Sequence, residues 1–328
     1  MPKFTINLVT WNGERFIDVC LSSVLAQTYK DYSVLIIDNG SSDNTKQIIA
    51  ERFPQFKVIA HKDNLGFARA HNQAIHWTDS EYVVCLNQDI VLDPKFLEQM
   101  ADFLDKNQAV GAVTGKICRL DEDLLPTKYI DTVGLKIFKN LRVVDQGSGE
   151  MDEGQYDVFE QVFGVSGCVP VYRRRALKTV EFSKEFFDEN FFIYKEDVDL
   201  SFRLRVRGWP IWRVSSAIAY HARTIGAPLE KLSVWKIAKN HFKRSTFGKF
   251  YSYRNHLYFI YKCAPKFSLA ILFYEKIKAV YLFFTEPRIF FRAWRGFFKD
   301  RLILKEKRKF IYNNLAVKIE DLKKWWQK

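Results

Sequence analysis

The 328-residue sequence lacks the glycine-rich loops that cradle phosphates in two large classes of enzyme. No Gly-x-Gly-x-x-Gly turn follows its first predicted strand, and Gly-x-x-x-x-Gly-Lys-Ser/Thr occurs nowhere. Dinucleotide dehydrogenases and P-loop enzymes are therefore disfavoured. The five cysteines, an odd number, are widely spaced and form no Cys-x-x-Cys or Cys/His group of zinc-site spacing. They indicate structural thiols in a reducing compartment.

The sequence also lacks segments typical of a signal peptide or a membrane span. Residues 1–20 enter a strand directly, without the charged, apolar and small-residue regions of a signal peptide. The most apolar later segment, residues 267–284, is interrupted by Glu275, Lys276 and Lys278, so it offers no continuous run of about 20 apolar residues. We expect a cytoplasmic protein that lies on the inner face of the cell membrane rather than crossing it.

Acidic residues are scarce at the C-terminal end. Residues 229–328 carry 24 Lys/Arg against 7 Asp/Glu and hold 24 of the 52 aromatic residues, whereas residues 1–228 carry 27 Lys/Arg against 31 Asp/Glu. Cations between apolar pairs at three- and four-residue spacing predict amphipathic helices that dock on an anionic membrane. Helices packed on the rest of the chain, or a nucleic-acid-binding tail, are the alternatives. We predict two domains, residues 1–228 and 229–328, and no nucleic-acid partner.

Strand and helix patterns alternate four times in the first hundred residues. This alternation predicts an α/β, Rossmann-like domain whose mostly parallel central sheet is covered by helices on both faces. The helix after the fourth strand is predicted to begin at Asp93-Pro94, with Asp93 as its N-cap. The β-branched and aromatic runs that predict the strands are residues 4–9, 32–37, 57–60 and 82–86.

Polar residues follow each of these strands, and the four loops should meet at one edge of the sheet. Ligands of open α/β sheets gather at the carboxyl ends of the strands. The apolar run that ends in Asn87, Gln88 and Asp89 therefore delivers two amides and a carboxylate to a site. Such oxygens suit a nucleotide and the divalent cation, Mg²⁺ or Mn²⁺, that neutralises its phosphates. An equally good interpretation is that Asp89 only caps a turn before the next helix.

Four motifs occupy these loops in order: Val9-Thr-Trp-Asn12, Asp38-Asn-Gly-Ser-Ser-Asp43, Asn64-Leu-Gly-Phe-Ala68 and Asn87-Gln-Asp89. Their order and spacing resemble family 2 of the glycosyltransferases, most closely its rhamnosyltransferase-like branch. The resemblance covers roughly residues 4–225. It implies the A-type glycosyltransferase fold, a nucleotide-sugar donor, inversion at the anomeric carbon, and a divalent cation as cofactor.

The resemblance also assigns roles to the residues of the first three loops. Thr10, Asn12 and Asp38 would hold the nucleotide. Asn64 and Gly66 would shape the pocket beside it.

The same resemblance implies a metal site at the end of the fourth strand. Asp89 would be the last carboxylate of the family's Asp-x-Asp metal motif, and His221 would be a further metal or phosphate ligand. Lone histidines are more often structural. Asn87 stands where the family has its first aspartate, so one negative charge is missing near the diphosphate.

An acidic start, arginines in the last turn and a following Gly208 predict a helix from Glu196, although the apolar spacing is closer to period two. These acids are also what the helix dipole alone would favour. By the resemblance, Asp197 is the catalytic base, and Glu196, Gly167 and Cys168 line the donor and acceptor. For Gly167, a tight bulge is an equally good structural reason.

The sequence therefore predicts an inverting, metal-dependent glycosyltransferase that moves a sugar to a glycan or lipid-linked acceptor in cell-surface polysaccharide synthesis. The resemblance suggests L-rhamnose from dTDP-rhamnose as the donor sugar. UDP-galactose or UDP-glucose is an alternative donor, and a non-catalytic nucleotide-sugar or nucleic-acid binding protein is the alternative class. The presence of Asp38, Asp89 and Asp197 together disfavours that class, because a binding protein needs no base.

Overall fold

The computed structural model describes residues 1–223, 245–265 and 268–327. Its strands, numbered in chain order, are β1 (Phe4–Thr10), β2 (Tyr32–Asp38), β3 (Lys57–Ala60), β4 (Tyr82–Asn87), β5 (Ile90–Leu92), β6 (Ala112–Leu120), β7 (Pro126–Thr132), β8 (Leu135–Phe138), β9 (Val143–Asp145), β10 (Glu160–Gln161), β11 (Val171–Arg173), β12 (Ile211–His221) and β13 (Trp326–Gln327). Within the described residues, ten strands form a central sheet in the order β10-β12-β6-β11-β4-β1-β2-β3, with β5 on β12 and β7 on β6.

The centre of this sheet is parallel, as the alternating pattern predicts. Strands β3, β2, β1 and β4 run in one direction, and their ends coincide because Thr10 pairs with Asp38 and Val9 with Asn87. Strands β6 and β12 are parallel to each other, whereas β11 enters antiparallel between β4 and β6. The carboxyl ends of four neighbouring strands therefore share one edge, where their polar loops meet.

Helices cover both faces of the sheet. They are α1 (Ile17–Leu25), α2 (Thr45–Arg52), α3 (Phe67–Trp77), α4 (Phe96–Lys106), α5 (Arg174–Val180), α6 (Glu196–Val206), α7 (Thr246–Cys263), α8 (Leu269–Thr285), α9 (Pro287–Asn313) and α10 (Ile319–Leu322). Alternate side chains of β4 point to opposite faces. Val84 packs in one cluster with residues of α1 and α4, and Val83 packs in another with residues of α3, α5 and α6. This burial on both sides explains the unbroken apolar run of β4.

Helix α4 begins later than predicted. Its first helical residue is Phe96, and Lys95 is its N-cap. The Asp93 carboxylate accepts the Lys95 backbone N–H at 2.9 Å, and the Asp93 carbonyl accepts that of Phe96 at 2.9 Å. Asp93 and Pro94 therefore form a turn that leads into the helix, and Asp93 is not the N-cap.

The C-terminal helices pack on the body of the protein. Apolar residues of α7 and α9, such as Phe259 and Leu304, share a buried cluster with Val198 and Phe202 of α6. Strand β13 joins β8 and β9 in a small second sheet. The boundary predicted at residue 229 falls outside the described residues. No helix of the described ranges is both long and apolar enough to cross a membrane.

Candidate active site

The loops after β1 and β4 are joined at the carboxyl edge by Gln88. Its Oε1 accepts hydrogen bonds from the Thr10 hydroxyl at 2.5 Å and from the Trp11 backbone N–H at 2.8 Å. The Thr10 side chain is buried, so its hydroxyl is used to position Gln88. The structure thus places the Thr10 hydroxyl against Gln88, the residue between Asn87 and Asp89 in the sequence.

Asp38 lies at the end of β2, and only one of its two carboxylate oxygens accepts a hydrogen bond from the described residues. Oδ1 accepts the Ser41 backbone N–H at 3.0 Å, while the fully buried Oδ2 has no hydrogen-bond partner among the described residues. A buried acceptor without a partner is costly, so this oxygen suits a hydrogen-bond donor from a ligand. Asn12 closes the same loop by accepting the Ser42 backbone N–H at 2.9 Å. Asp38 and Asn12 therefore hold adjacent backbone groups of one loop at the carboxyl ends of β1 and β2.

Asn64 and Gly66 are tied to the β2 loop through Asn39, which the sequence did not single out. The Asn39 side chain donates to Asn64 Oδ1 at 2.9 Å, and that oxygen also accepts the Gly66 backbone N–H at 2.8 Å. Gly66 has a φ of +85°, and a Cβ there would lie 2.5 Å from the Phe192 ring. This position requires glycine for both its backbone conformation and its space.

Asp89 and His221 face each other because β5 pairs antiparallel with the end of β12. The register sets His221 opposite Ile90, and the Ala222 backbone N–H donates to the Asp89 carbonyl at 2.9 Å. His221 Nε2 lies 3.3 Å from Asp89 Oδ2, and on the other side of the ring Nδ1 lies 2.8 Å from Asp131 Oδ2. The sequence did not identify Asp131, which lies in the weakly patterned stretch 119–158.

Charge around His221 favours the imidazolium form when only protein surrounds it. Burial lowers the pKa of His221, but the charges and hydrogen bonds of Asp89 and Asp131 outweigh it and raise the pKa to about 9. Burial raises the pKa of Asp131, and its hydrogen bond with His221 and the nearby Arg223 bring that pKa below its ordinary value. Two carboxylates thus hold a cationic ring, and a divalent cation would replace the ring proton next to Asp89.

Asp89 and His221 would give a divalent cation one oxygen and one nitrogen ligand and leave its other positions to further ligands. No group of three or more His, Cys, Asp or Glu side chains with metal-binding geometry occurs in the described part of the chain. Mg²⁺ needs few protein ligands, because phosphate oxygens and water complete its octahedron at about 2.1 Å, which sets adjacent ligands about 3 Å apart. The 3.3 Å between Asp89 Oδ2 and His221 Nε2 is close to that spacing.

Asp197 lies in the first turn of α6, against the segment that follows β10. Its Oδ2 accepts the Gly167 backbone N–H at 2.8 Å, and its Oδ1 accepts that of Val198 at 2.7 Å. Burial raises the pKa of Asp197, the Gly167 hydrogen bond lowers it and the charge of Asp145 raises it, so that the pKa is about 6. This carboxylate is ionised near neutral pH and remains basic enough to accept a proton.

The Gly167-Cys168 segment links Asp197 to the end of β4. The Asn87 backbone N–H donates to the Cys168 carbonyl at 3.0 Å, one residue from the N–H that holds Asp197. The Cys168 thiol is buried, and burial raises its pKa. Glu196 is also buried, its Oε2 has no hydrogen-bond partner in the described residues, and burial together with Asp197 raises its pKa well above the ordinary value. The protonated form of Glu196 is therefore favoured.

The central sheet, with polar loops at the carboxyl ends of its parallel strands, has the architecture of the A-type glycosyltransferase fold. Residues 5–181, more than half of the chain, match the family described as glycosyl transferase family 2. The chain therefore belongs to glycosyl transferase family 2.

Two characterised relatives differ in how much of the chain they match. The N-acetylglucosaminyl-diphospho-decaprenol L-rhamnosyltransferase of Mycobacterium tuberculosis is 27% identical over 233 residues, 65% of this chain and 74% of that protein. The poly-beta-1,6-N-acetyl-D-glucosamine synthase of Staphylococcus epidermidis is 39% identical over 110 residues, 33% of this chain and 27% of the synthase. The match thus spans only about a quarter of the synthase.

Solved structures share the fold at low sequence identity. TarS from S. aureus (residues 1–349) superposes with a TM-score of 0.51 at 16% identity, covering 95% of this chain and 90% of that chain. The mannosyltransferase PcManGT from Pyrobaculum calidifontis, solved with GDP-mannose and Mn²⁺, has a TM-score of 0.52 at 16% identity and covers 92% and 75%. These similarities support the A-type fold.

Proposed function

We propose that the chain is an inverting, metal-dependent glycosyltransferase that moves a sugar from a nucleotide donor to a hydroxyl of a glycan or lipid-linked acceptor. The observation that carries the proposal is that two chemically different groups of side chains lie near the same edge of the sheet and are joined by one segment of backbone. Asp89 and His221 face each other at 3.3 Å and would hold a cation, and Asp197 is a partly buried carboxylate with a raised pKa that would act as the base. The segment containing Gly167 and Cys168 joins the two.

Asp197 acts on the acceptor side. Inversion needs a base opposite the leaving group to take the proton from the attacking hydroxyl. Oδ1 and Oδ2 of Asp197 each accept one backbone N–H, which fixes the orientation of the carboxylate and leaves lone pairs for an incoming hydroxyl. The backbone donors thus position the base before the acceptor binds.

Asp89 and His221 act on the donor side. A divalent cation held there supplies positive charge to the leaving diphosphate. The support is the spacing of these two side chains, together with the Mn²⁺ in the solved structure of PcManGT, whose fold is similar. Asp38 and Asn12 would hold the nucleoside end of the donor, because their loop lies at the adjacent strand end.

L-Rhamnose from dTDP-rhamnose is the donor that we propose first. This choice rests on the M. tuberculosis rhamnosyltransferase, because the alignment with this chain covers nearly three quarters of that protein. The synthase from S. epidermidis makes an N-acetylglucosamine donor the second candidate, and UDP-glucose and UDP-galactose complete the set to be tested. The rhamnosyltransferase's name also supports an acceptor linked to a lipid through a diphosphate.

A donor panel tests this function. We would measure the melting temperature of the full chain with each nucleotide sugar, with and without Mn²⁺, because a ligand at 100 times its dissociation constant adds about 2.7 kcal/mol of stability. The stabilising donor would then be used in transfer assays with the Asp197→Asn variant, which should bind it normally and lose transfer. Wild-type turnover by Asp197→Asn would refute the assignment of the base.

We also propose that α8 and the adjoining face of α9 dock on an anionic membrane. Large apolar side chains of α8 recur on one exposed face, including Phe273 at 69% and Phe284 at 77% exposure. Phe283 of α8 contacts Phe291 of α9 with ring centroids 5.8 Å apart, so the two exposed faces adjoin. Exposed cations such as Arg295 lie on α9. Apolar and basic groups side by side suit the interface of an anionic bilayer.

Flotation with vesicles tests the docking face. The full chain should float with vesicles that contain phosphatidylglycerol, and the double variant Phe273→Ser/Phe284→Ser should not. A matched control, Leu125→Ser/Val158→Ser, removes two exposed apolar residues from the body of the protein and should float like wild type. Failure of the wild type to float, with salt-sensitive binding to an oligonucleotide instead, would favour the nucleic-acid alternative.

A further inference from the structure

We propose that Asp131 is a positioning residue that fixes the His221 ring so that Nε2 is the nitrogen presented to a divalent cation beside Asp89. The inference rests on the proposed metal-dependent transfer and adds a residue that no step of that mechanism yet uses. Asp131 lies near the end of β7, far in sequence from both side chains that it would organise.

The contacts of His221 distinguish its two ring nitrogens. Nδ1 lies 2.8 Å from Asp131 Oδ2, and Nε2 faces Asp89 Oδ2 at 3.3 Å. An ionised carboxylate only accepts hydrogen bonds, so the proton of a neutral imidazole is kept on Nδ1. The lone pair then belongs to Nε2, on the side of Asp89. Metal-binding histidines commonly donate their second N–H to a carboxylate in this way.

Asp131 is itself held from its other side. Its Oδ1 lies 3.0 Å from Arg223 Nε and 3.7 Å from Arg119 Nε, and the side chain is completely buried. A buried carboxylate without cationic partners would be strongly unfavourable. The two arginines therefore hold one oxygen of Asp131, and the second oxygen is directed at His221.

The side of the His221 ring that Asp131 contacts separates positioning from direct binding. Asp131 contacts the ring on the side opposite Asp89, so the whole imidazole lies between its carboxylate and the proposed cation. It therefore acts through His221. Its removal should change the affinity for the metal without removing a metal ligand.

The test compares Asp131→Asn with Asp145→Asn in the full chain. Both substitutions neutralise a carboxylate that pairs with Arg223, but only Asp131 contacts His221. An asparagine amide can donate to Nδ1, which places the ring proton on Nε2 and blocks it as a ligand. We expect Mn²⁺ binding, measured from the electron paramagnetic resonance of free Mn²⁺ with and without dTDP, to weaken about 10- to 100-fold in Asp131→Asn. Asp145→Asn should bind Mn²⁺ much as the wild type does.

A second readout needs no destabilising variant. In the wild type with Mg²⁺, the ¹⁵N shifts of the His221 ring should report a proton on Nδ1, with the peaks assigned from a His221→Gln sample. A neutral ring that carries its proton on Nε2 and not on Nδ1 would overturn the proposal. Asp131→Glu, which keeps a carboxylate acceptor, should retain the Nδ1–H form.

The outcomes also separate this inference from the proposed function. If Asp89→Ala binds Mn²⁺ as tightly as the wild type, the metal site itself is wrong. If Asp89→Ala loses Mn²⁺ while Asp131→Asn keeps wild-type affinity, the metal site stands and the positioning role of Asp131 is refuted.

Discussion

Lys307 of α9 places an ammonium group inside the protein, and removing it should destabilise the chain strongly. Its Nζ lies 2.6 Å from both Glu185 Oε2 and Asp188 Oδ1 and 2.8 Å from Asn190 Oδ1. The Lys307 side chain is only 5% exposed. Lys262 of α7 approaches the other oxygen of the same Asp188. Lysines of two C-terminal helices, α7 and α9, thus pair with one buried carboxylate, Asp188, in the segment before α6.

The magnitude follows from the loss of one partner in a buried ion network. Lys307→Met keeps most of the apolar stem and removes the charge, so Asp188 retains Lys262 as its one cationic partner among the described residues. Breaking a buried pair by removing one partner costs about 3–5 kcal/mol. Because Lys262 still compensates part of the charge on Asp188, we expect a loss of about 3 kcal/mol, at the lower end of that range.

Urea denaturation followed by tryptophan fluorescence measures this loss, and Lys309→Met is the matched control. Lys309 lies two residues further along α9, is 57% exposed and pairs with Glu306. Exposed pairs of this kind contribute little, so the control should unfold at the wild-type midpoint. Equal midpoints for Lys307→Met and Lys309→Met would refute a stabilising role for the buried network.

The same network predicts how the difference depends on pH. Burial raises the pKa of Asp188, but the two lysines outweigh it and hold that pKa well below the ordinary value. A carboxyl whose native pKa is depressed stabilises the fold above its unfolded-state pKa and loses that contribution as the pH falls toward the native value. The gap between wild type and Lys307→Met should therefore be full at neutral pH and shrink in acid.

Three further predictions concern the site. The value of kcat/KM should fall as the pH drops through about 6, because Asp197 must be ionised. Asp145→Asn should shift this decrease to lower pH, because the charge of Asp145 raises the pKa of Asp197. Gly66→Ala should lower the free energy of unfolding, measured by urea denaturation, by about 1–3 kcal/mol, because residue 66 has a positive φ. It should also weaken the thermal shift that the donor causes, because a Cβ would meet Phe192. Asn87→Asp should tighten Mn²⁺ binding in a paramagnetic resonance titration, and unchanged affinity would place residue 87 away from the cation.

The parallel strands and the polar loops at their carboxyl ends could be predicted because both leave local patterns in the sequence. Each strand is a short apolar run, and a polar loop follows directly, so β1, β2 and β4 reveal their ends in the sequence itself. The motif residues Asp38 and Asp89 lie at those ends for the same reason. Order along the chain was enough to place them on one edge.

Helix α6 shows why periodicity failed where burial is complete. Its apolar residues do not form one stripe, because nearly the whole helix is buried. Arg203 pairs with Asp199 at 2.8 Å, and Arg205 donates to the carbonyls of Phe163 and Ile211. Charged residues that look solvent-facing in the sequence are therefore internal, and only the helix-end signals indicated the correct structure.

Asp131 and Asn39 could not be found from the sequence because their roles depend on distant partners. Asp131 is 90 residues from His221 along the chain, and Asn39 is 25 from Asn64. Neither lies in a position that a period or a cap would mark. Long-range pairs of polar side chains leave no local pattern, so they appear only once the sheet has set the strand ends side by side.

The C-terminal helices also hold the turn that precedes Asp197, the proposed base. Backbone φ values of 64°, 70° and 70° place Phe192, Tyr194 and Lys195 in the left-handed region just before α6, a conformation that costs non-glycine residues energy. Asn255 of α7 stabilises this turn, because its Nδ2 lies within 2.8 Å of the carbonyl oxygens of Phe191, Ile193 and Tyr194.

The turn held by Asn255 leads directly into Glu196 and Asp197, so the position of the proposed base depends on a helix beyond residue 229. The same helical region carries the apolar face of α8. Docking of that face would therefore act on an element packed against the catalytic body through buried lysines, rather than on a freely attached tail. The basic C-terminal region thus has two roles, and its composition indicates only the first. Its exposed residues suit a membrane surface, and its buried polar residues stabilise the turn that precedes Asp197.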